Sequence, residues 1–239
     1  GVEMKNNNSR VLIISDLHMP FQHPQAIPFL SKLHKKWKFT RIFSIGDIVD
    51  LASVQVTRPS DPEVESPLFE IGKATIEIRK LEKLFPSMDI LKGNHDLRIE
   101  RKAEHFGIPR TMLKDLNDIF DVKADWRWHD KYILTLPSNH KVFLTHNFRN
   151  NVLNSSKELS CSLITGHFHT QSNLSWWSSP TSLNFAMSTG CLINPKAPAM
   201  KYQKLFIKRP ILSVGMLIDE TPMIQPMYLN EQGEWNGKV

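Results

Sequence analysis

The sequence has little cysteine and no long apolar run. Its 239 residues include two cysteines, Cys161 and Cys191, and no closely spaced cysteine pair, so we expect neither a disulfide framework nor a zinc site built from thiolates. No stretch approaches the roughly 18 consecutive apolar residues that a membrane-spanning helix needs, and residues 1–10 lack the apolar segment of a secretion signal. We therefore expect a cytoplasmic protein with no membrane partner.

The composition is that of a globular protein with a basic balance. Hydrophobic residues make up 41% and charged residues 23% of the chain, which is enough for one large core, so we expect a single domain over residues 1–239 with residues 1–9 flexible. The net charge of +6 and the pI near 9.3 favour an anionic partner such as a phosphate compound or a nucleic acid. No coiled-coil pattern indicates an oligomeric state.

The first hundred residues alternate between strand and helix patterns. Short apolar runs at 11–14, 41–45 and 88–91 predict buried strands. Apolar spacings of three and four predict helices in the stretch that follows Pro24 and from about 70 to 85. Open α/β sheets bind ligands at the carboxyl ends of their strands, so this order predicts a site at that edge.

The rest of the chain predicts further elements and two loops. The proline-rich stretch at 51–67 reads as an excursion or lid, and 137–140 reads as a hairpin turn. We expect a helical segment at about 97–120, followed by strands at 132–136, 141–145 and 162–165 and near 173–177, 183–187 and 211–218.

Metal-ligating residue types follow the predicted strands in five blocks. These blocks are Asp16-Leu17-His18, Gly46-Asp47, Gly93-Asn94-His95-Asp96, Thr145-His146 and Gly166-His167-Phe168-His169. Carboxylate, amide oxygen and imidazole suit Mn, Fe, Zn or Co. Alternate residues of a strand point to one face, so Asp16 and His18 can reach one metal together.

The five blocks in this order resemble the calcineurin-like metallophosphoesterases over about residues 10–170. The proline-rich excursion after Asp47, the stretch Trp126-Arg127-Trp128-His129 and Gly190-Cys191-Leu192 resemble, more narrowly, small single-domain members encoded by phages. The resemblance implies a four-layer α/β/β/α sandwich with a dinuclear metal site at the carboxyl ends of the strands. One metal would take Asp16, His18 and His169, and the other Asn94, His146 and His167. Asp47 would bridge the two divalent ions, Mn first, with Fe, Zn, Co or Ni as alternatives.

The resemblance also implies catalytic roles. The metals would lower the pKa of a bridging water enough to supply hydroxide, His95 would protonate the leaving oxygen, and Asp96 would orient the His95 ring. Asn94 and Arg98 are the candidate substrate contacts, although Arg98 also fits a solvated helix face. Asp50 is either a residue that fixes a ligand histidine or an ordinary surface aspartate. Relatives commonly have glycine after the fourth-block histidine, whereas Asn147 follows here.

Several other residues have two readings. The aromatic residues Trp126, Trp128, Trp176, Trp177, Phe148 and Phe168 could stack on bases or pack in the fold. The basic stretch of Lys201, Lys204, Lys208 and Arg209 could track phosphates or form a soluble surface. We expect polar structural roles for His23, His34, His105, His129 and His140.

The sequence thus predicts a dinuclear metal-dependent phosphoesterase that hydrolyses a phosphate ester. We expect a phosphodiesterase that acts on single-stranded nucleic acid rather than processively on duplex, or on nucleotides. If the chain is phage-encoded, we expect it in the host cytoplasm. The alternatives are a phosphomonoesterase, acting on nucleotides or proteins, and a non-catalytic binding scaffold.

Overall fold

The computed structural model describes residues 9–56, 66–197 and 209–239. The strands of these residues form two sheets. In chain order they are β1 (Arg10–Ile14), β2 (Arg41–Ser44), β3 (Ser87–Leu91), β4 (Asp125–His129), β5 (Tyr132–Thr135), β6 (Lys141–Thr145), β7 (Ser162–Thr165), β8 (Ser172–Ser178), β9 (Leu183–Thr189), β10 (Ser213–Ile218) and β11 (Thr221–Pro226). The helices are α1 (Ala26–Trp37), α2 (Pro67–Leu84), α3 (Arg98–His105), α4 (Leu116–Ile119) and α5 (Val152–Glu158), with short 3₁₀ helices at Ala52–Val54 and Arg110–Met112.

The two sheets have mixed strand directions. The first sheet has the order β11-β10-β1-β2-β3-β4, and the second has the order β5-β6-β7-β9-β8. In the first sheet β1 to β4 run parallel, and in the second β6, β7 and β9 run parallel. The parallel strands therefore direct their carboxyl ends to one edge of each sheet.

The alternation of side chains in β1 shows how the layers are built. Leu12 and Ile14 lie in a core with the buried faces of α1 and α2, whereas Ile13 packs between the sheets in a core that includes Ile164 of β7. Successive residues of a strand point to opposite faces, so one strand contributes to both cores. On the far side of the second sheet, Val152 of α5 completes a smaller cluster. This order of helix, sheet, sheet and helix confirms the predicted four-layer sandwich.

Some predicted elements differ from the observed ones. The helix expected over about 97–120 is divided into α3, a 3₁₀ turn and α4, because Gly107 adopts φ 72° and Pro109 cannot continue a helix. The sequence patterns missed β4, α5 and β11. Helix α2 begins at Pro67, three residues earlier than expected, with this proline in its first turn.

Two predicted features lie wholly or partly outside the described residues. These are 57–65 of the proline-rich excursion and the lysines at 201, 204 and 208 of the basic stretch. Within residues 9–56, 66–197 and 209–239, every helix is too short or too polar to span a membrane.

Candidate metal centre

The five polar blocks meet at the carboxyl ends of five parallel strands. Three blocks follow β1, β2 and β3 of the first sheet, and two follow β6 and β7 of the second. The sheets pack face to face through the core between them, so residues from distant parts of the chain come together. His169 Nε2, for example, lies 3.1 Å from Asp16 Oδ1.

The backbone of this region is left-handed at four non-glycine residues. Asp16, His18, Asp47 and His167 have φ values of 53°, 51°, 52° and 67°. Such values are uncommon outside glycine, carry a conformational cost and cluster at functional sites. Strand alternation is therefore the wrong explanation for the pairing of Asp16 with His18, because β1 ends at Ile14. The left-handed turns bring these side chains together instead.

The first group of ligand atoms comes from Asp16, His18 and His169. His18 Nε2 lies 3.1 Å from His169 Nε2 and 3.6 Å from Asp16 Oδ1. All candidate ligand atoms of this group are within 4.8 Å of one another. The structure thus brings together the three residues that the resemblance assigns to one metal.

The second group comes from Asp47, His146 and His167, with Asn94 beside it. His146 Nε2 lies 3.2 Å from Asp47 Oδ2, 3.2 Å from His167 Nδ1 and 3.1 Å from Asn94 Oδ1. The residues that the resemblance assigns to the other metal therefore also lie together.

Asp47 lies between the two groups. Its Oδ2 atom is 3.2 Å from His146 Nε2 and 3.7 Å from His18 Nε2, one histidine of each group. Its other oxygen, Oδ1, accepts a hydrogen bond of 2.8 Å from the backbone N–H of His95. Asp47 therefore contacts one histidine of each group.

The buried carboxylates and histidines of this region shift one another's pKa values. Burial lowers the pKa of His18, but hydrogen bonds to Asp16 and Asp50 outweigh it and raise the pKa to about 10. Burial likewise lowers the pKa of His146, but the charge of Asp47 raises it to about 9. Burial raises the pKa of Asp47, whereas His146 and His18 lower it to about 2.

This electrostatic balance fits a site for divalent metal ions. Buried charges are stable only when they are paired or coordinate a metal, and metal binding displaces protons from histidine. The donor set of carboxylates, one amide oxygen and imidazoles contains no thiolate, which suits Mn, Fe, Zn or Co. Asp16, His18, His169, Asp47, His146, His167 and Asn94 are the residues that would hold them.

Two ligand histidines are oriented through their other ring nitrogen. His18 Nδ1 lies 2.8 Å from Asp50 Oδ1, and His146 Nδ1 lies 2.9 Å from the carbonyl oxygen of Ile45. Both partners are acceptors, so each Nδ1 donates, and Nε2 is the ring atom through which each histidine would bind a metal. Asp50 is 1% exposed, so it is a buried partner of His18 and not a surface aspartate.

Asp50 also contacts His95, in an arrangement that differs from the expected one. His95 Nδ1 lies 3.0 Å from both the carbonyl oxygen and Oδ1 of Asp50. The Asp96 carboxylate, expected to orient this ring, instead accepts hydrogen bonds from the backbone N–H groups of Asp47, Val49 and Gly93. Asp50, and not Asp96, therefore orients His95, whereas Asp96 fixes the loops that carry Asp47 and Asn94.

The surroundings of Asp96 affect its ionisation. Burial and the neighbouring charge of Asp47 raise the pKa of Asp96 to about 7. Hydrogen bonds from the backbone N–H groups of Gly93 and Val49, together with the charge of His146, partly offset this rise in the pKa.

Arg98 lies next to His95 at the start of α3. Its Nη1 donates to the carbonyl oxygen of Asp50 at 2.7 Å, and its Nη2 lies 3.3 Å from His95 Nε2. The side chains of Arg98 and His95 are each 19% exposed. The guanidinium is therefore part of the wall of the site.

Glu70 is a buried carboxylate that the sequence patterns did not single out. It is 3% exposed, and it accepts hydrogen bonds from the backbone N–H groups of Ala52 and Ser53 at 2.9 and 2.8 Å. These amides begin the 3₁₀ helix immediately after Asp50 and Leu51. The sequence does indicate its burial, because Glu70 precedes the buried Ala74 by four residues and so lies on the apolar face of α2.

Most of the candidate aromatic residues pack within the fold. Trp126 is 4% exposed and donates to the carbonyl oxygen of Phe85, Trp128 donates to Asn117, and Trp177 donates to Ser156. Phe168 is half-buried and packs on the cluster beneath α5. Trp176 and Phe148 are exposed.

The histidines outside the blocks have structural contacts or are exposed. His129 contacts the buried Asp89 at 2.9 Å, His140 contacts Ser162, His23 contacts the carbonyl oxygen of Gly233, and His34 stacks on Phe39. His105 is exposed. Asp89 also accepts hydrogen bonds from Arg41 of β2 and Arg127 of β4.

Comparison with known proteins identifies the family of this arrangement. The sequence profile of the calcineurin-like phosphoesterase family matches residues 9–200, whereas no curated protein sequence matches the chain. The structure of Vps29 from Chaetomium thermophilum is similar with a TM-score of 0.50 at 12% identity, covering 95% of this chain and 94% of that one.

Two further solved structures are similar at lower scores. A metallophosphoesterase from Sphaerobacter thermophilus has a TM-score of 0.46 at 14% identity, covering 93% of this chain and 89% of that one. Yfce, a phosphoesterase from E. coli, has a TM-score of 0.44 at 12% identity, covering 95% and 96%. At such identities the structural similarities concern the fold alone.

Proposed function

The chain belongs to the calcineurin-like phosphoesterase family, and from this premise we propose that it is a dinuclear metal-dependent phosphodiesterase acting on nucleic acid or nucleotides. The observation that carries the dinuclear assignment is the position of Asp47. One of its oxygens faces His18 of the first ligand group and His146 of the second. A single carboxylate in contact with both groups is what two closely spaced ions require.

The bound ions, Mn foremost, would activate a water molecule as the nucleophile and neutralise charge on the phosphoryl oxygens. The protein contributes the positions of the ligands. Asp50 and the carbonyl oxygen of Ile45 hold the rings of His18 and His146 through Nδ1. Asp96 fixes the backbone on either side of the ligand Asp47 and at Gly93, next to Asn94.

His95 supports the departure of the leaving group. Its Nδ1 faces Asp50, which leaves Nε2 on the side of Arg98. As the general acid, His95 would donate a proton from Nε2 to the leaving oxygen, while Asp50 accepts a hydrogen bond from Nδ1 and fixes the ring. Arg98 adds a fixed positive charge beside this position, where it can contact the substrate.

The charges around the site favour a diester over a monoester. Within residues 9–56, 66–197 and 209–239, Arg98 is the only arginine or lysine that contacts the side chains of the five blocks. Its guanidinium already donates to the carbonyl oxygen of Asp50, so fewer of its N–H groups remain to bind the second negative charge of a phosphate monoester. A diester carries one negative charge at the scissile phosphate, so it needs less compensation than a terminal dianion.

The test compares three substrates with the same enzyme after chelation and addition of Mn. We expect turnover of bis-p-nitrophenyl phosphate and of a labelled single-stranded oligonucleotide, with little turnover of p-nitrophenyl phosphate. Turnover of the monoester alone would identify a phosphatase. Two bound metals without turnover of any substrate would support a binding scaffold.

A further inference from the structure

Helix α3, which begins three residues after His95, carries several basic side chains on one side. In α3 the side chains at positions i, i+3, i+4 and i+7 are Arg98, Arg101, Lys102 and His105. With 3.6 residues per turn, these four side chains fall within an arc of roughly 100°. We call them the basic face. Glu100 and Glu104 fall on the opposite side of the helix, where Glu100 pairs with Lys92 and Arg110.

The basic face is continuous with the metal centre. Its first member, Arg98, lies 3.3 Å from His95 Nε2, and the face then runs roughly 10 Å along the helix axis away from His95. Because His95 is the proposed donor to the leaving oxygen, this face lies on the leaving-group side of the scissile phosphate. A length of 10 Å corresponds to about two or three nucleotides at 3.4 Å each.

The charges of the face are available to a ligand. Arg101 is exposed and forms no ion pair or side-chain hydrogen bond within the described part of the chain. Lys102 is half-buried, and its Nζ has only a long contact of 3.4 Å to the carbonyl oxygen of Gln55. An arginine and a lysine in this state are suited to phosphate contacts, since neither must break an ion pair to make them.

An aromatic residue completes the surface. Phe106 follows α3 directly, is 67% exposed and lies against His105 with ring centroids 5.1 Å apart. Single-stranded nucleic acids are bound by grooves in which cations contact phosphates and exposed aromatic rings stack on bases. A bare polyphosphate chain would use the cations but would gain little from Phe106.

We infer that the basic face and Phe106 bind the leaving-group side of a single-stranded nucleic acid, with Arg98 at the phosphate next to the scissile one, Arg101 and Lys102 at phosphates further along, and Phe106 against a base. This inference rests on the proposed phosphodiesterase activity. It extends that activity from small diesters to a substrate with nucleotides beyond the scissile bond.

The test measures binding separately from turnover. The Mn-loaded full chain is titrated into a fluorescein-labelled, hydrolysis-resistant phosphorothioate oligothymidylate, and the Kd is read from fluorescence anisotropy over a series of salt concentrations. We expect Arg101→Ala/Lys102→Ala to weaken binding by about tenfold. The slope of log Kd against log salt should fall by about 1.4, because each phosphate contact on a single strand contributes about 0.7.

The matched control removes two positive charges elsewhere. Lys35 near the end of α1 and Lys141 at the start of β6 are exposed and lie toward the amino ends of the strands. Lys35→Ala/Lys141→Ala should keep the wild-type Kd and salt slope. An equal loss in both double variants would overturn the inference, since net charge alone would then explain it; so would unchanged binding by Arg101→Ala/Lys102→Ala, or no binding by the wild type.

A second comparison distinguishes the nucleic acid from other polyanions. Phe106→Ala should weaken binding of the oligothymidylate while leaving competition by inorganic polyphosphate unchanged, because only the former has bases to stack. Equal effects on both ligands would overturn the assignment to nucleic acid. Absence of wild-type turnover of bis-p-nitrophenyl phosphate would refute the proposed activity without affecting these binding results.

Discussion

The substitution Gly93→Ala should disrupt the metal centre through a single methyl group. A Cβ atom at residue 93 would lie 2.1 Å from Asp47 Oδ1 and 2.4 Å from the Asp47 backbone nitrogen. Ordinary van der Waals contact begins at 3.4 Å, so the Asp47 carboxylate would have to move by about 1.3 Å, the difference between 3.4 and 2.1 Å. A misplacement of about 1 Å costs on the order of 10²-fold in rate, and here it affects the residue shared by both ligand groups.

We therefore expect Gly93→Ala to lower turnover of bis-p-nitrophenyl phosphate at least about 100-fold and to reduce the metal content of the dialysed protein. Inductively coupled plasma mass spectrometry measures the metal content, and circular dichroism tests whether the fold is retained. A folded variant with two ions and wild-type turnover would refute the assignment of Asp47, because the structure leaves no room for the methyl group beside its carboxylate.

Gly72→Ala is the matched control for this substitution. Gly72 lies in α2, and a Cβ atom there would have no neighbour within 4 Å. Alanine is better than glycine in a helix by roughly 0.5–1 kcal/mol, so this variant should be slightly more stable in urea. Its metal content and turnover should equal those of the wild type.

Four further substitutions test other parts of the argument. Asp47→Ala should remove both ions and abolish turnover, and two ions at full occupancy would contradict the bridging role. His95→Ala should keep the ions but slow turnover roughly 10²–10⁴-fold, with a smaller loss for good leaving groups; a loss independent of the leaving group would argue against acid catalysis. Glu70→Ala leaves one buried and one partly buried amide without their partner, so urea unfolding should show a loss of about 1–3 kcal/mol. If Glu70 acts on turnover only through the loop that holds His95, adding Glu70→Ala to the His95→Ala variant should cause no further loss of turnover. Burial raises the pKa of Asp89, but hydrogen bonds from the arginines of β4 and β2 and from the histidine of β4 outweigh burial and hold the pKa below its usual value. That stabilisation is complete above about pH 3.9 and is lost as the pH falls through the lower folded pKa, so the unfolding free energy of the wild type should fall more steeply in acid than that of Asp89→Asn. Parallel pH curves would contradict this account.

The elements around the site were predictable because their sequence signals are local. Apolar runs at β1, β2 and β3 identify buried parallel strands, and the polar residues after them identify the ligand edge of the sheet. β4 was missed because its residues, Asp-Trp-Arg-Trp-His, do not form an apolar run. Arg127 and His129 hydrogen-bond to Asp89 of β3, so their placement depends on a partner about 40 positions away in the sequence.

The second layer of the site was less predictable than the residues of the five blocks. The partner of His95 was expected to be its neighbour Asp96, yet the contact is made by Asp50, 45 residues earlier. Left-handed backbone at Asp16 and His18 likewise has no glycine to signal it. Such features arise from tertiary contacts, which override local preference at functional sites.

The same contacts explain how strained ligands remain in place. The backbone N–H of His167, a left-handed residue, donates to Asp16 Oδ2 at 2.9 Å, and the N–H of Asp47 donates to Asp96 Oδ2 at 2.8 Å. Each buried carboxylate thus holds a backbone turn that another part of the site needs. Removing one carboxylate would remove a negative charge and would also free the backbone turn that it holds. Metal affinity should therefore fall by more than it would if a single ligand atom were lost. The ligands and the carboxylates that hold their loops form a single unit.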